Sequence, residues 1–373
     1  MQRVVISGTG LFTPEQSISN EELVIAFNRH VRDYNAAHAD EIAAGRRVAK
    51  AESSAEFIAK ASGIQARRVI DKTGLLDAGR LTPHIAERSD DELSLQAEIA
   101  VHAARQALER AGRVAADIDA VIVAATSLQR AYPAVAIEVQ AALGCGGYAY
   151  DMNVACSSAT FALRAAVDAV RVGSARRVLV ICPEICSGFL DWADRDCHFI
   201  FGDVATALVV EAADDAISTT AFEVLGSRLQ TRFSNNIRDN FGFINRCEDS
   251  DPQARDKLFY QEGRKVFKEV CPMVAEQILD HGAELGLGPT QFKRLWLHQA
   301  NINMNDLVSK RVLGADFRRE QAPIILDEYA NTAAAGSLVV FHKFSQDLQA
   351  GDIGVICSFG AGYSIGSIIV RRC

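Results

Sequence analysis

The chain has 373 residues, of which 49% are hydrophobic and 23% are charged, a composition typical of a soluble globular enzyme and not of a disordered protein. Its formal net charge of -8 argues against a general binder of nucleic acid or of an anionic membrane, while a local basic patch stays compatible with docking of an acidic partner. The nine cysteines form neither a CxxC pair nor a cluster at zinc-ligand spacing, so we expect a reduced compartment and no metal site.

The first residues, MQRVVISGTG, lack the basic and apolar regions of a signal peptide. No apolar run in the sequence is long enough to span a bilayer. We therefore expect a cytoplasmic protein that has neither a membrane nor a nucleic acid as its partner.

Short β-branched runs that predict buried strands recur along the chain. They lie at 3–10 (RVVISGTG), 120–127 (AVIVAATS), 177–184 (RVLVICPE) and 206–212 (TALVVEA). Between the first two, residues 94–112 predict a long helix that ends at Gly112. Strands that alternate with helices indicate an α/β fold.

Residues 30–95 differ from the rest of this pattern. They begin with a charged, helix-prone stretch and continue into RLTPHIAERSDDE, which is typical of a loop. We expect this segment to form a cap outside the core, at the border of a pocket. The alternative is a surface insertion without a function, because loops carry specificity but also tolerate insertions.

Cys156 lies in DMNVACSSATFAL (151–163), where a strand-like run gives way to a helix. From Ala155 to Val172 this helix has only three charged residues, all on one narrow stripe, so we expect it to be buried between layers. A thiol near a helix N-terminus is expected to have a lowered pKa, which suits a nucleophile. The alternative is that Cys156 is a small buried filler.

A weak internal repeat indicates a duplicated α/β unit. NVACSSATFAL (153–163) has a counterpart in EYANTAAAGSL (328–338), with Cys156 opposite Asn331. VAATSLQ (123–129) likewise parallels LWLHQAN (295–301). Two copies place Cys156, His298 and Asn331 at comparable corners between strand and helix, where open α/β sheets form their sites.

Each of these polar residues also has an ordinary structural interpretation. A lone histidine such as His298 is usually structural, and His198, which also lies beside a strand-like run, competes with it by position. Asn331 fits a helix N-cap, and its amide also fits a hydrogen-bond donor to an oxyanion. The glycine-rich SFGAGYSIGS (358–367) fits an ordinary hairpin that needs permissive dihedral angles, and its N–H groups also fit the donors of an oxyanion hole opposite the thiol.

Five motifs, NVACSSATFAL, IFGD, HQAN, ANTAAAGS and FGAGYSIGS, follow one another in an order that resembles the β-ketoacyl-[acyl carrier protein] synthase III family of the thiolase superfamily. The resemblance spans nearly the whole chain. It implies a five-layered αβαβα fold of two duplicated halves, here residues 1–215 with Cys156 and residues 216–373 with His298 and Asn331. It further implies a homodimer and a ping-pong condensation without a metal or a bound organic cofactor.

The same resemblance implies the catalytic roles. Cys156 takes an acyl group from acyl-CoA, and the backbone N–H groups of Cys156 and Ala361 hold the oxyanion. Malonyl-acyl carrier protein then loses CO2, and its carbanion attacks the acyl thioester. His298 and Asn331 hydrogen-bond the malonyl thioester carbonyl and stabilise the enolate. The expected function is therefore the condensation that initiates fatty acid synthesis.

Binding residues follow by the same resemblance, with two departures. In the family, a tryptophan stacks on the CoA adenine, and Phe57 stands at that position here. Two arginines also lie beside the adenine in the family: one is retained as Arg195, and the other is replaced by Ala61. The remaining aromatic matches are Tyr132, which reaches across the dimer to bound the acyl pocket, and Phe201 and Phe359, which line the site. Basic matches for carrier-protein docking are Lys268, Lys310 and Arg311, whereas Asn303 replaces a family arginine.

Four alternatives stay open at this point, one of which is a cysteine-dependent hydrolase, although the sequence resembles none of its signatures. The altered CoA-side residues and the charged insertion favour a primer other than acetyl-CoA, such as a medium-chain acyl-CoA. A related condensing enzyme or acyltransferase of secondary metabolism would use the same three polar residues on a different acceptor. A non-catalytic partner subunit is disfavoured because such subunits commonly lack one of the three.

Overall fold

The computed structural model of the protein describes residues 2–249, 251 and 254–373. Its strands are β1 (Val4–Phe12), β2 (Gln16–Ser19), β3 (Ala66–Val69), β4 (Ala120–Ala124), β5 (Tyr148–Met152), β6 (Arg177–Glu184), β7 (Val204–Ala212), β8 (Phe222–Ser234), β9 (Ile237–Arg238), β10 (Tyr260–Gln261), β11 (Phe292–Leu297), β12 (Ile353–Gly360) and β13 (Gly362–Arg372). Its α-helices are α1 (Asn20–Ala37), α2 (Ala39–Ala43), α3 (Ala55–Ser62), α4 (Thr73–Leu76), α5 (Leu95–Ala111), α6 (Val135–Leu143), α7 (Ser158–Val172), α8 (Gly263–Glu284), α9 (Ile302–Leu313), α10 (Leu326–Tyr329) and α11 (Gly336–Lys343). None of these helices is long and apolar enough to cross a lipid bilayer.

Nine strands form one sheet in the order β11-β12-β13-β8-β1-β7-β6-β4-β5. The strands from β5 to β1 come from the first part of the chain and those from β8 to β11 from the second, and the two sets meet through β1 and β8. Each set has parallel strands at its outer edge, β4 with β5 and β6 in one and β11 with β12 in the other. Each set also has antiparallel strands near the junction. This arrangement is that of a duplicated unit.

Three apolar cores separate the layers. The central core buries α7 and α11 between the two sets of strands, with Leu163 and Phe341 among its residues. A second core packs α5 and α6 on the outside of the first set, and a third packs α8 and α9 on the outside of the second. The predicted five-layered αβαβα fold is therefore confirmed, and α7 is the buried middle helix that its few charges predicted.

The predicted elements agree closely with the observed ones. The run 177–184 is β6 itself, and the helix predicted over 94–112 is α5, which Ser94 caps at its start. Gly112 ends α5 with a φ of 65°, a left-handed conformation that a residue with a Cβ adopts only with strain. The helix after Cys156 begins later than predicted, at Ser158, because Ala155 also takes a positive φ of 47°.

Residues 30–95 hold the C-terminal part of α1, then α2, α3, β3 and α4, followed by an irregular stretch up to Ser94. The return segment after α2 is tied to α1 by two paired sets of hydrogen bonds, Asn28 with Ser53 and Asn35 with Lys50. Apolar residues of the segment share a fourth buried cluster with the 186–201 loop. The division of the chain between residues 215 and 216 falls in the connection between β7 and β8 and stays a proposal.

Candidate active site

Cys156 lies in a short loop between β5 and α7. The loop holds itself in place: the Ala155 N–H donates to Asn153 Oδ1 at 2.9 Å, and the Val154 N–H donates to Ser158 Oγ at 2.8 Å. Ala155 has the positive φ that turns the chain sharply just before the thiol. The side chain of Cys156 is thereby presented to a cavity at the end of the strands.

The hairpin between β12 and β13 lies directly against this thiol. A Cβ on Gly360 would come within 2.6 Å of the Cys156 Cβ, so the hairpin approaches this closely only because residue 360 is glycine. The backbone N–H groups of Ala361 and Cys156 lie near the sulfur, where they partly oppose the rise in the thiol pKa that burial causes. The two N–H groups that the sequence predicts as oxyanion-hole donors are therefore both close to the thiol, and their role stays a prediction.

The pKa of the Cys156 thiol is raised, whereas the sequence predicted that it would be lowered. Burial, followed by the nearby carboxyl of Glu184, raises the pKa of Cys156 to about 12, and this outweighs the two N–H donors. Helix α7 begins at Ser158, so Cys156 precedes the first turn in which the prediction placed it. The thiol is consequently neutral at physiological pH, and its proton has to leave when the sulfur is acylated.

His298 follows β11 and is buried, and the edge of its ring meets Phe359 with the centroids 5.2 Å apart and the planes perpendicular. Its Nδ1 has no hydrogen-bond partner within the described part of the chain. Burial lowers the pKa of His298 to about 4, so the imidazole is neutral at physiological pH. A neutral imidazole can offer an N–H to a carbonyl oxygen without carrying a charge.

Asn331 is fixed on both its backbone and its side chain. Its N–H donates to the Ile200 carbonyl at 2.9 Å, and its own carbonyl accepts from the Gly202 N–H at 3.0 Å. The side-chain Oδ1 accepts from the Ala333 N–H at 2.9 Å, which leaves the amide NH2 as the group that can bind a ligand. The Oδ1 bond fixes the turn at 333–335, although Asn331 is not the N-cap of helix α11, which begins at Gly336. The donor role of its NH2 stays a prediction.

One cavity of about 230 Å³ brings Cys156, His298 and Asn331 together. Its walls are mainly apolar and include the predicted Phe57, Phe201 and Phe359. The lining residues that the sequence did not single out come chiefly from the 196–201 loop, β9, residues 259–261, α8 and α9. They include Phe199, Ile237, Phe259, Gln261, Val266 and Met304. His198 is fully buried and stacks on Phe27 at 4.2 Å outside the lining of this cavity, so it does not compete with His298.

Phe57 and Arg195, the predicted adenine-binding pair, contact each other directly. The Arg195 guanidinium lies 4.2 Å from the centre of the Phe57 ring, and its Nε donates to the Glu52 carbonyl at 2.7 Å. An adenine held between the two has to separate them. Ala61 also lines the cavity, and its carbonyl accepts from Asn303 Nδ2 at 3.3 Å, so the two departures from the family pattern are neighbours.

Tyr132 lies outside the cavity of its own chain and is 85% exposed. The edge strand β5 presents Tyr148 and Tyr150, whose ring centroids are 6.4 Å apart in a stacked arrangement.

The three basic residues predicted to dock the carrier protein are exposed on two helices that pack together. They are Lys268 on α8 and Lys310 and Arg311 on α9. Within residues 2–249, 251 and 254–373, no group of three or more His, Cys, Asp or Glu side chains is placed to hold a metal ion.

Comparison with known proteins gives consistent results. Residues 150–231 match the family model of 3-oxoacyl-[acyl-carrier-protein] synthase III, and residues 283–372 match its C-terminal model. A β-ketodecanoyl-[acyl-carrier-protein] synthase of Pseudomonas aeruginosa is 59% identical over 347 residues, which cover 93% of this chain and 99% of that protein. The β-ketoacyl-[acyl-carrier-protein] synthase III of Bartonella bacilliformis is 30% identical over the full length of both chains.

A solved structure supports the fold. The 3-oxoacyl-(acyl carrier protein) synthase III of Pseudomonas aeruginosa PAO1 superposes with a TM-score of 0.75 at 24% identity, covering 99% of this chain and 98% of the other. The layered fold and the thiol cavity at its strand ends define a thiolase-like condensing enzyme. The chain belongs to the β-ketoacyl-[acyl-carrier-protein] synthase III family, and it is an acyltransferase of the condensing type. The family and activity predicted from the sequence are confirmed.

Proposed function

We propose that the protein condenses a medium-chain acyl-CoA primer with malonyl-acyl carrier protein through an acyl thioester on Cys156. The observation that carries this proposal is the convergence of the Cys156 thiol, two backbone N–H donors, the neutral His298 imidazole and the Asn331 amide at one apolar cavity. Such a set provides a nucleophile and two places at which a carbonyl oxygen can gain negative charge.

In the first step, the Cys156 sulfur attacks the thioester carbonyl of acyl-CoA. The N–H groups of Cys156 and Ala361 stabilise the oxyanion that forms. The thioester bond to CoA breaks, the acyl group stays on Cys156, and the thiol proton leaves with CoA as its free thiol. Because burial keeps the Cys156 proton in place at neutral pH, transfer of that proton to the leaving group is part of this step.

In the second step, malonyl-acyl carrier protein takes the place of CoA. The bond to its carboxylate breaks and releases CO2, and the electron pair forms an enolate whose oxygen accepts hydrogen bonds from His298 and Asn331. A neutral imidazole and an amide suit this role, since each donates a hydrogen bond without protonating the carbanion. The carbanion attacks the acyl thioester, the bond between the acyl carbon and the Cys156 sulfur breaks, and the β-ketoacyl product leaves. The expelled thiolate takes a proton from water, which regenerates the Cys156 thiol.

Chain length is inferred from the close relative. Its name specifies a ten-carbon β-ketoacyl product, and decarboxylative condensation adds two carbons, so its primer has eight. The apolar lining of the cavity here, with Phe201 and Phe259 in edge-to-face contact at 4.8 Å, is chemically suited to an alkyl chain. We therefore infer an octanoyl-CoA-sized primer for this chain.

Assembly and partners form part of the same proposal. We infer a homodimer that buries the exposed aromatic residues of the β5 edge, Tyr148 and Tyr150, and sends Tyr132 towards the acyl pocket of the second copy. Lys268, Lys310 and Arg311 would contact the acidic carrier protein. We infer that the reaction takes place in the cytoplasm and uses neither a metal nor a bound cofactor.

Intact-protein mass spectrometry tests the proposal. Wild-type protein and Cys156→Ala are mixed with saturated acyl-CoAs of two to twelve carbons. We expect one acyl mass on the wild type alone, with the highest rate near eight carbons. Equal rates with acetyl-CoA and octanoyl-CoA would contradict the medium-chain primer, and an equal adduct on Cys156→Ala would contradict the nucleophile.

A second experiment tests the division of roles. His298→Ala and Asn331→Ala should still form the acyl-enzyme, while their condensation with malonyl-acyl carrier protein falls by about 100-fold or more, as for loss of an oxyanion donor elsewhere. Loss of acylation in both variants would contradict the assignment of these residues to the second step.

A further inference from the structure

Glu184 is the last residue of β6 and is fully buried. Its Oε1 accepts three hydrogen bonds: from the Thr126 N–H at 2.8 Å, from Thr126 Oγ1 at 3.0 Å and from the Ala334 N–H at 3.1 Å. All three donors are neutral. A buried carboxyl with neutral partners is costly to keep in a protein core, so its presence here calls for an explanation beyond packing.

On one side, these bonds lead to the nucleophile. The Thr126 carbonyl accepts from Asn153 Nδ2 at 2.9 Å, and Asn153 Oδ1 in turn accepts from the Ala155 N–H at 2.9 Å. Ala155 is the residue of positive φ that directly precedes Cys156. The carboxyl of Glu184 is therefore linked through two residues to the turn that presents the thiol.

On the other side, the hydrogen bonds of Glu184 lead to Asn331, whose side-chain amide lies in the second half of the chain. The Ala334 N–H that Glu184 accepts is next to the Ala333 N–H, which donates to Asn331 Oδ1 at 2.9 Å. Strand β6 also packs against the short turn 333–335. Glu184 thus contacts both loops that the condensation requires, one from each half of the fold.

We propose that Glu184 is a positioning residue for the condensation step, in which its carboxyl holds the loop before Cys156 and the turn after Asn331 in one fixed arrangement. The inference rests on the proposed function, because Glu184 acts through Cys156 and Asn331 and lies outside the cavity lining. Acylation depends on the loop of Cys156, which Asn153 and Ser158 also hold in place. Condensation also needs the Asn331 amide at a set distance from the thioester, so loss of Glu184 affects the second step more.

The test compares Glu184→Ala with Glu184→Gln, which keeps an oxygen acceptor for all three donors. For each variant, one measures the single-turnover rate of Cys156 acylation by octanoyl-CoA and the rate at which the preformed acyl-enzyme condenses with malonyl-acyl carrier protein. In Glu184→Ala we expect condensation to fall by about 100-fold and acylation by less than about 10-fold, because a small displacement of a catalytic group costs this much. Glu184→Gln should recover condensation to within about 10-fold of the wild type.

Glu211→Gln is the matched control. Glu211 is a fully buried carboxyl of the neighbouring strand β7, but it pairs with Arg113 and Arg177 at the opposite end of the sheet. A merely structural effect would lower the rates of acylation and condensation by the same factor. We expect this result for Glu211→Gln. Equal losses in Glu184→Ala, unchanged rates, or no recovery in Glu184→Gln would each overturn the positioning role.

A third variant keeps the inference testable if Glu184→Ala does not fold. Thr126→Val removes the hydroxyl donor to Glu184 and retains the N–H donors of residue 126 and Ala334, so the ratio of condensation to acylation should fall by about 2- to 10-fold. An unchanged ratio in Thr126→Val would then overturn the inference. A wild-type protein that takes up no acyl group would instead contradict the proposed function itself, so the two failures are distinguishable.

Discussion

Gly360 and Cys156 are in contact so close that a Cβ on residue 360 would lie 2.6 Å from the cysteine Cβ and 3.0 Å from its sulfur. Gly360→Ala should therefore displace the thiol from its two N–H donors and lower the acylation rate by about 100-fold. The fold should survive, since overpacking of this kind costs about 1–3 kcal/mol. Intact mass after timed mixing with octanoyl-CoA measures the rate.

The control for Gly360→Ala is Gly263→Ala, because a Cβ on Gly263 would meet no atom within 4 Å. This variant should acylate like the wild type. Normal acylation of Gly360→Ala would show that the hairpin can move away from the thiol, and the oxyanion hole would then have to be placed elsewhere.

Phe57 supplies a flat apolar surface, and the Arg195 guanidinium lies 4.2 Å from the centre of its ring. Phe57→Ala should raise the KM for acyl-CoA by about 10- to 100-fold, because stacking of a base on an aromatic ring contributes about 1–3 kcal/mol. The kcat should change little, since Phe57 does not act on the reacting thioester. Phe57→Trp should restore the KM, and a fall in kcat without a rise in KM would place the adenine elsewhere.

The basic residues on α8 and α9 are expected to guide the carrier protein. Burial raises the pKa of the Cys271 thiol of α8 to about 11, and the charge of Arg311 on α9 partly opposes this rise, so Arg311 lies near α8. Lys268→Glu with Arg311→Glu should raise the KM for malonyl-acyl carrier protein by about 10-fold, more strongly at low salt. Acylation from octanoyl-CoA should be unaffected.

Arg29→Glu provides the control for the docking prediction, since this α1 side chain is 74% exposed and is not one of the predicted docking residues. Its KM for the carrier substrate should equal that of the wild type. An equal rise in KM for Arg29→Glu and for the double variant at Lys268 and Arg311 would mean that overall charge, and not a docking surface, governs carrier binding.

Tyr132 is 85% exposed, which fits a side chain that completes the acyl pocket of a second copy. Tyr132→Ala should shift the preferred primer to longer chains without changing the dimer mass measured by light scattering. Val114→Ala, which alters another exposed apolar residue, should leave the chain-length profile unchanged. A monomeric wild type, or an unchanged profile in Tyr132→Ala, would contradict the proposed contact across the dimer.

Local sequence features predicted much of the fold, and a sequence repeat predicted the three polar residues that one cavity brings together. Strand β6 and helix α5 followed from β-branched runs and from a terminal glycine, because these features act over a few neighbouring residues. Cys156, His298 and Asn331 followed from the repeat, because a duplicated unit places equivalent loops at the same end of its strands.

Features that depend on tertiary packing were missed or were wrong. The pKa of Cys156 is set by burial and by Glu184, which lies 28 positions along the chain, and no local pattern reports burial of that kind. Glu184 itself ends a strand at the same edge as the site. That position was the one signal that would have identified it.

His281 on α8 allows a test of how burial sets the stability in acid. Burial, and to a lesser degree Arg228, lowers the pKa of His281 to about 4, whereas an unfolded histidine titrates near 6.5. Between these two values the unfolded chain binds the proton and the folded chain does not. The free energy of unfolding therefore falls as the pH drops from about 6.5 to about 4, by about 1.4 kcal/mol per pH unit for this residue.

His281→Gln should remove that contribution, because glutamine does not titrate and can still bond Ser367 Oγ, which lies 2.8 Å from the imidazole Nδ1. Urea unfolding at several pH values between about 4 and 7 measures the slope, which we expect to be shallower in the variant by about 1 kcal/mol per pH unit. His84→Gln, on an exposed loop, should leave the slope as in the wild type. If both variants keep the wild-type slope, protonation of His281 is not part of the acid sensitivity of the fold.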